Sequence, residues 1–260
     1  MKTNRIQNAF KNGKAFIAFL TGGDPTIEKS EGYILEMARA GADLIEIGIP
    51  FSDPIAEGPV IQKANIRALS AGATVEKIFG LAGRVRAKAA VPLVFLTYLN
   101  PVFRYGYGNF FRRCADTGVD GVIIPDLPFE EQGEARAASA KNGVDLISLV
   151  APTSQERIRA IARSASGFVY IVSSMGVTGV RSAFETDIAA LVRAVKAETR
   201  VPAAVGFGVS TPAQAAEIAR HADGVIVGSA LVRLVEQYGA NAAPALREYV
   251  ASMKAALRGI

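Results

Sequence analysis

Cysteine and histidine are almost absent from this chain of 260 residues, which holds one of each. The single Cys114 excludes an internal disulfide framework, and its helical spacing from Phe110 and Phe111 indicates packing in a core. The single His221 follows a helix that is expected to end near Arg220, which argues against a catalytic Ser-His-Asp arrangement. Zinc-ligand spacings are missing as well, so the sequence predicts no zinc site.

Long apolar runs and clusters of one charge are also missing. No apolar run approaches the roughly 18 residues of a membrane span, and the amino terminus lacks the apolar core of a signal peptide. The net charge of +5 is spread along helical segments without a basic patch interleaved with aromatics, so nucleic-acid binding is not predicted. We expect a cytoplasmic, globular chain with a mild attraction for anionic metabolites.

Apolar runs of strand length alternate with longer helical stretches along the chain. Eight successive strand–helix units favour a closed parallel barrel over an open sheet, because a ring leaves no exposed strand edge. We predict a single α/β domain over residues 1–260, a (β/α)8 TIM barrel with extra N-terminal and C-terminal helices. The predicted strands are residues 15–21, 44–49, 93–98, 121–125, 145–150, 168–172, 203–207 and 225–227. The predicted helices are residues 3–11, 27–40, a pair within 60–89, 109–117, 130–142, 155–165, 184–198, 212–220, 231–238 and 243–256.

The most informative stretch is residues 42–62, which reads ADLIEIGIPFSDPIAEGPVIQ. Both faces of its strand are apolar apart from Glu46, so this carboxyl is expected in a buried place that raises its pKa toward the range useful for acid/base catalysis. A structural carboxylate, tied to a backbone N–H or to an arginine, is the alternative. Asp53 and Glu57 lie on the loop at residues 50–59; alone, Asp53 is typical of a turn, and Glu57 favours neither a functional nor a structural role.

The C-terminal ends of the strands are where such barrels carry their chemistry. Two glycine-rich loops there, at residues 206–210 and 228–230, lead into helices whose backbone N–H groups and dipole suit a phosphate; tight turns are the alternative. Residues 173–180 have the composition of a mobile flap over a substrate, or of an ordinary loop. Phe19, Tyr98 and Tyr170 are expected to face the barrel interior, where they suit a flat aromatic substrate as well as simple core packing.

Several motifs, in order along essentially the whole chain, together resemble the tryptophan synthase alpha subunits. They are FLTGGDP at residues 19–25, EIGIPFSDP at 46–54, GPVIQ at 58–62, GVTG at 176–179, GFGVS at 206–210 and GSA at 228–230. The resemblance implies reversible retro-aldol cleavage of indole-3-glycerol phosphate to indole and glyceraldehyde 3-phosphate in tryptophan biosynthesis, without a metal or cofactor. It also implies a partner, a beta subunit in an α2β2 heterotetramer within which indole is passed.

The resemblance implies roles for individual residues. Glu46 matches the glutamate that gives a proton to indole C3 and takes one from the adjacent side-chain hydroxyl. Glu57 matches an aspartate that accepts the indole N1–H; this is a departure, since the family's ADGP reads AEGP here, and the added methylene predicts reduced efficiency. Asp53 and Pro54 lie in the loop expected to face the beta subunit. The substrate-binding positions that it implies are Phe19, Leu96, Tyr98, Tyr170, Thr178, Gly179, Phe207, Gly208, Gly228 and Ser229.

Three other functions stay open at this point. The same site could belong to a free-standing lyase that releases indole. The departure at Glu57 leaves open a barrel with weak or no cleavage activity that mainly binds and activates a beta subunit. Another phosphate-binding barrel, such as a sugar phosphate isomerase, would share the glycine-rich loops but has no evident use for residues 46–62.

Overall fold

Eight parallel strands form a closed barrel in sequence order, each strand hydrogen-bonded to the next and the last to the first. The computed structural model of the protein describes residues 5–172, 185–206 and 208–260. The strands are β1 (Ala15–Thr21), β2 (Leu44–Gly48), β3 (Leu93–Leu96), β4 (Gly121–Ile123), β5 (Asp145–Val150), β6 (Val169–Val172), β7 (Ala203–Gly206) and β8 (Gly224–Val227). The predicted (β/α)8 barrel is confirmed.

Helices surround this barrel, with one before β1 and one closing the chain. They are α1 (Arg5–Ala9), α2 (Ile27–Arg39), α3 (Pro59–Ser70), α4 (Val75–Arg86), α5 (Leu99–Tyr105), α6 (Tyr107–Asp116), α7 (Gly133–Asn142), α8 (Gln155–Arg163), α9 (Glu185–Lys196), α10 (Pro212–Ala219), α11 (Ser229–Tyr238) and α12 (Ala243–Ala256). Thr26, Thr74 and Ser154 accept a backbone hydrogen bond at the starts of α2, α4 and α8. In the part of the chain that the structure describes, no helix combines the length and apolarity needed to cross a membrane.

The two faces of the strands have different partners, as alternation along a strand requires. Ile45 and Ile47 of β2 pack outward against the helices, whereas Leu44 points into the barrel. Glu46 and Gly48 share the inner face with Leu44. The inner cluster contains Ala15, Ile17, Leu44, Val94, Ile123, Ile147, Phe168, Tyr170, Ala204 and Ile226.

The segment after β3 differs from the prediction. The strand ends at Leu96 instead of residue 98, so Tyr98 lies beyond the strand and precedes α5. Helix α5 was not predicted. Pro101 resembles a helix breaker in the sequence, but it lies in the first turn of α5, where its missing N–H has no intrahelical role. The N–H of Leu99 is instead satisfied by Oδ1 of Asp126, 27 residues further along the chain, at 2.8 Å.

Candidate active site

Glu46 projects into the barrel from β2, level in the strand register with Phe19 of β1 and Val94 of β3. Its side chain is 1% exposed, and neither carboxyl oxygen has a hydrogen-bond partner among the described residues. Burial therefore raises the pKa of Glu46 from 4.5 to about 8. Within those residues, no arginine or backbone N–H ties this carboxyl down as a structural carboxylate. At neutral pH the group is protonated and can donate a proton.

Phe19 forms an aromatic wall beside Glu46. Its ring lies so close to two strand ends that a Cβ at Gly48 would stand 2.9 Å from the ring, and one at Gly228 would stand 3.2 Å away. Glycine at these positions lets the ring lie across the ends of β2 and β8. Leu96 packs against the hydrophobic cluster that contains Phe19.

Tyr170 of β6 lies in the barrel interior on the side opposite β2. It belongs to the same inner cluster as Phe168, as its strand parity predicts. A Cβ at Gly206 would lie 2.8 Å from the Tyr170 ring, so glycine is needed there for the ring to fit. Burial raises the pKa of the Tyr170 phenol well above its usual range, and the carboxyl of Glu46 raises it further. Tyr170 and Glu46 are therefore neighbours.

The loop between β2 and α3 carries the second acid and is held by Tyr98. The Tyr98 ring stacks on Phe51 with ring centroids 5.3 Å apart, and its hydroxyl accepts a hydrogen bond from the N–H of Ala56 at 3.1 Å. Burial raises the pKa of the Tyr98 phenol, and the neighbouring Glu57 carboxylate adds to that rise. Tyr98 thus contacts the loop next to Glu57, although it does not extend β3 as predicted.

Helix α3 holds Glu57 by two hydrogen bonds. Nδ2 of Asn65 donates to Oε2 of Glu57 at 2.6 Å, and Nε2 of Gln62 donates to the backbone oxygen of Glu57 at 2.7 Å. Burial raises the pKa of Glu57 to about 7, whereas the Asn65 hydrogen bond acts in the opposite direction. Asn65 is 3% exposed. Sequence reasoning missed Asn65, whose only signal is its place on the helix that follows the loop.

The two glycine-rich loops lie beyond the neighbouring strands β7 and β8. Gly208 has a φ of +83°, a left-handed conformation that favours glycine. Gly228 caps α11, and the exposed Ser229 is its first residue. The first turn of α11 therefore presents backbone N–H groups at the end of the barrel where Glu46 and Phe19 lie.

Asp53 and Pro54 lie on the outer side of the loop before α3. Asp53 is exposed and accepts a hydrogen bond from the Ser52 hydroxyl at 2.6 Å, and Pro54 is half-buried. Two neighbouring apolar side chains are unusually open, with Ile55 80% and Ile66 62% exposed. The loop therefore holds the half-buried Glu57 against α3 and exposes an apolar patch to the solvent.

Three predicted site residues, Thr178, Gly179 and Phe207, lie outside the described residues, and so does the flap predicted at residues 173–180. The described part of the site thus consists of an inner group around Glu46 and an outer group around Glu57, joined through the loop that follows β2.

Comparison with known proteins gives a consistent result for sequence and structure. The chain matches the family described as tryptophan synthase alpha chain over residues 6–258. It is 47% identical to the tryptophan synthase alpha chain of Lacticaseibacillus casei over 257 residues, covering 99% of this chain and 97% of that relative. It is 49% identical to the protein of the same name from Lactiplantibacillus plantarum over 255 residues, covering 98% and 96%.

Solved structures agree with the sequence relatives. Tryptophan synthase subunit alpha from Legionella pneumophila superposes with a TM-score of 0.90 at 35% identity, covering 99% of this chain and all (100%) of that one. A chain of the tryptophan synthase complex from Pyrococcus furiosus superposes with a TM-score of 0.85 at 34% identity, covering 94% and 99%. The likeness therefore extends over the whole barrel.

Proposed function

This chain belongs to the tryptophan synthase alpha chain family, and on that premise we propose how its own residues carry out the reaction. The activity is that of a carbon–carbon lyase in tryptophan biosynthesis, which cleaves indole-3-glycerol phosphate to indole and glyceraldehyde 3-phosphate. The observation that supports the residue assignment most strongly is the buried carboxyl of Glu46, which has no hydrogen-bond partner among the described residues.

Glu46 acts first as an acid and then as a base. Its raised pKa, about 8, keeps it protonated at neutral pH, so it can give its proton to indole C3. The carboxylate that results then takes the proton of the hydroxyl on the adjacent side-chain carbon. As that proton leaves, the alcohol becomes an aldehyde, the bond to C3 breaks, and its electron pair returns to the indole ring. Glu46 ends protonated, ready for the next turnover.

Glu57 accepts the hydrogen bond from indole N1–H. Protonation at C3 puts positive charge on the ring nitrogen, and an anionic acceptor nearby stabilises that charge. Because the pKa of Glu57 is raised to about 7, the acceptor becomes fully ionised only above neutral pH. We retain the hypothesis that the added methylene lowers the efficiency of this contact.

Other residues bind the two ends of the substrate. Phe19, Leu96 and Tyr170 line the inner wall and suit the flat indole ring. The start of α11, with Gly228 and Ser229, suits the phosphate, because a helix N-terminus offers free N–H groups and a positive dipole end. Assigned by resemblance alone are Thr178, Gly179, Phe207, Gly208 and, as a substrate contact, Tyr98.

A beta subunit is the proposed partner. The similarity to a chain of a solved tryptophan synthase complex supports such a partner, and the exposed loop at Asp53 and Pro54 is the proposed contact. Four points stay predictions: the α2β2 stoichiometry, the passage of indole within the complex, the single domain over residues 1–260 and the cytoplasmic location.

Indole release from indole-3-glycerol phosphate by the purified chain tests the assignment. We expect Glu46→Gln to lower turnover by about 10²–10⁴-fold, the usual contribution of general acid–base catalysis, while the variant remains folded. Near-equal turnover of the two proteins would remove Glu46 from its role. If the wild-type chain binds a glycerol phosphate analogue tightly but releases no indole, the alternative of a barrel that only activates its partner gains support.

A further inference from the structure

We propose that Asn65 is a positioning residue, which holds one oxygen of Glu57 so that the other is directed to the N1–H of the substrate. The inference rests on the proposed function, in which Glu57 is the acceptor. It adds a residue that neither the sequence motifs nor the resemblance assigns.

The contact with Asn65 gives the two oxygens of the Glu57 carboxylate different surroundings. Oε2 accepts the hydrogen bond from Nδ2 of Asn65 at 2.6 Å. Oε1 accepts no hydrogen bond from any residue that the structure describes. The longer side chain of glutamate has one more rotatable bond than aspartate, and the Asn65 contact restricts that freedom. One oxygen is thus left for a substrate donor.

Asn65 is itself firmly placed. Its side chain is 3% exposed, and it lies on α3 two positions before Arg67. Arg67 makes a bidentate contact with Asp24, Nε to Oδ1 at 2.9 Å and Nη2 to Oδ2 at 2.8 Å. Asp24 is 1% exposed and lies in the loop after β1. The helix that carries Asn65 is therefore anchored to the barrel, as a supporting residue requires.

Among the polar and charged groups near the Glu57 carboxylate, Asn65 is the main one that stabilises it. The Tyr98 phenol faces it from the segment before α5, and Asp126, which acts on that phenol, lies beyond β4. Asp53, on the same loop, is exposed and accepts from Ser52. Among the described residues, the Asn65 hydrogen bond is the interaction that lowers the pKa of Glu57 against its burial. A donor to the ionised form favours that form.

Asn65→Ala removes the donor and should shift the pH dependence of activity. We expect the ascending limb of kcat/KM for indole release, which reports ionisation of Glu57 in the free enzyme, to move up by about one pH unit. Below the limb, kcat/KM should fall by about tenfold, since one pKa unit changes the ionised fraction by that factor. Asn65→Asp, nearly the same size, should shift the limb further because it adds a like charge. Melting temperatures, together with the Asn65→Asp variant, show whether a folding defect explains the effect of Asn65→Ala.

Gln62→Ala is the matched control, because Gln62 lies on the same helix and also donates to Glu57, but to its backbone oxygen. We expect this variant to lower kcat/KM by the same factor at every pH, with the limb unmoved. An equal shift of the limb in Gln62→Ala and Asn65→Ala would overturn the inference, since the shift would then report general loosening of the loop.

Glu57→Gln separates failure of the inference from failure of the proposed function. Wild-type kcat/KM in Glu57→Gln would remove Glu57 as the acceptor, and the inference with it. If Glu57→Gln is strongly impaired but both Asn65 variants keep the wild-type limb, the acceptor role stands and the positioning role of Asn65 is wrong. Impairment of Glu57→Gln together with upward shifts in both Asn65 variants supports the inference.

Discussion

Glu46 and Glu57 are two acids whose pKa values are raised by different balances of forces. Glu46 is buried with no hydrogen-bond partner among the described residues, so desolvation alone raises its pKa to about 8. Glu57 is only half-buried and accepts a hydrogen bond from Asn65, so its pKa rises less, to about 7. When the environment separates the pKa values of two carboxyl groups, one can act as an acid while the other acts as an acceptor in the same site.

The raised pKa of Glu46 makes the stability of the chain depend on pH. Between pH 4.5 and about 8 the folded chain keeps the Glu46 proton that the unfolded chain has released. The free energy of unfolding therefore falls as pH rises through this window and levels off above it. Each pKa unit corresponds to about 1.4 kcal/mol, so the Glu46 contribution to this fall amounts to several kcal/mol. Urea unfolding at a series of pH values should show a steeper decline for wild type than for Glu46→Gln. Parallel curves would contradict a raised pKa.

Glutamate at position 57 should be less efficient than the aspartate that the resemblance implies there. Glu57→Asp introduces that aspartate and removes the extra methylene. Because a misplacement of about 1 Å can cost on the order of a hundredfold in rate, we expect kcat/KM for indole release to rise, by up to that factor. An unchanged or lower kcat/KM would show that glutamate at this position carries no penalty.

Single residues also show where sequence reasoning reaches its limit. The burial of Glu46 could be predicted, because the strand that carries it is apolar on both faces. The contact between Asn65 and Glu57 could not be. Their separation of eight residues crosses a loop and the start of a helix, so their distance depends on how the loop folds back on α3. The hydrogen bond between the Tyr98 hydroxyl and the N–H of Ala56 could not be predicted either, because it depends on the same loop.

Among the helices, α3 has the widest influence on the site. Its side chains hold the Glu57 carboxylate through Asn65 and the loop backbone through Gln62. Through Arg67 the same helix contacts Asp24 in the loop after β1 and Glu236 on α11. The loops after β1 and β2 are therefore positioned by a single element.

The ion pair between Arg67 and Asp24 is buried on the Asp24 side, at 1% exposure. Removal of Arg67 leaves the charge of Asp24 uncompensated, and loss of one partner of a buried ion pair typically costs about 3–5 kcal/mol. We expect Arg67→Met to lower the free energy of unfolding by an amount in that range, and to lower kcat/KM as α3 shifts. Glu236→Gln removes only the more exposed contact, which is 3.4 Å long, and should cost about 0–1 kcal/mol. Equal losses in both variants would contradict the anchoring role of Asp24.

Most elements could be predicted from the sequence, because eight apolar runs are separated by stretches with helical periodicity. Helix α5 could not. Its first backbone N–H is capped by Asp126, a side chain brought there only by the closed barrel, and Pro101 makes the segment look like a loop. The predicted end of β3 is wrong for a different reason, since Tyr98 continues the apolar alternation of the strand but lies just before α5 as its N-cap.

At the scale of the whole molecule, the barrel gathers residues from distant parts of the chain at one end. Glu46 and Phe19 come from the first two strands, Tyr170 from the sixth, and Gly228 from the end of the last. The loop after β2 closes this end on one side and exposes Ile55 on the other. One loop thus connects the proposed active site with the proposed partner surface.

Binding of a beta subunit should depend on the exposed apolar side chains beside the loop after β2. Ile55 and Ile66 are exposed apolar side chains next to Asp53 and Pro54. We expect the double substitution Ile55→Asp and Ile66→Asp to weaken binding to a beta subunit from a close relative by about tenfold or more, as loss of apolar anchors does. Calorimetry or sedimentation would measure the affinity. Ile260→Asp, the same change at an exposed apolar residue beyond α12, is the control. Equal affinities for the double variant and wild type would place the partner elsewhere.

The pH dependence of indole release from indole-3-glycerol phosphate tests the central claim most directly. If Glu57 must be ionised and Glu46 must be protonated, kcat/KM should form a bell, with an ascending limb near pH 7 and a descending limb near pH 8. A rate that keeps rising from pH 8 to about pH 10 would contradict the account, because it would show that the reaction does not use the proton held by Glu46.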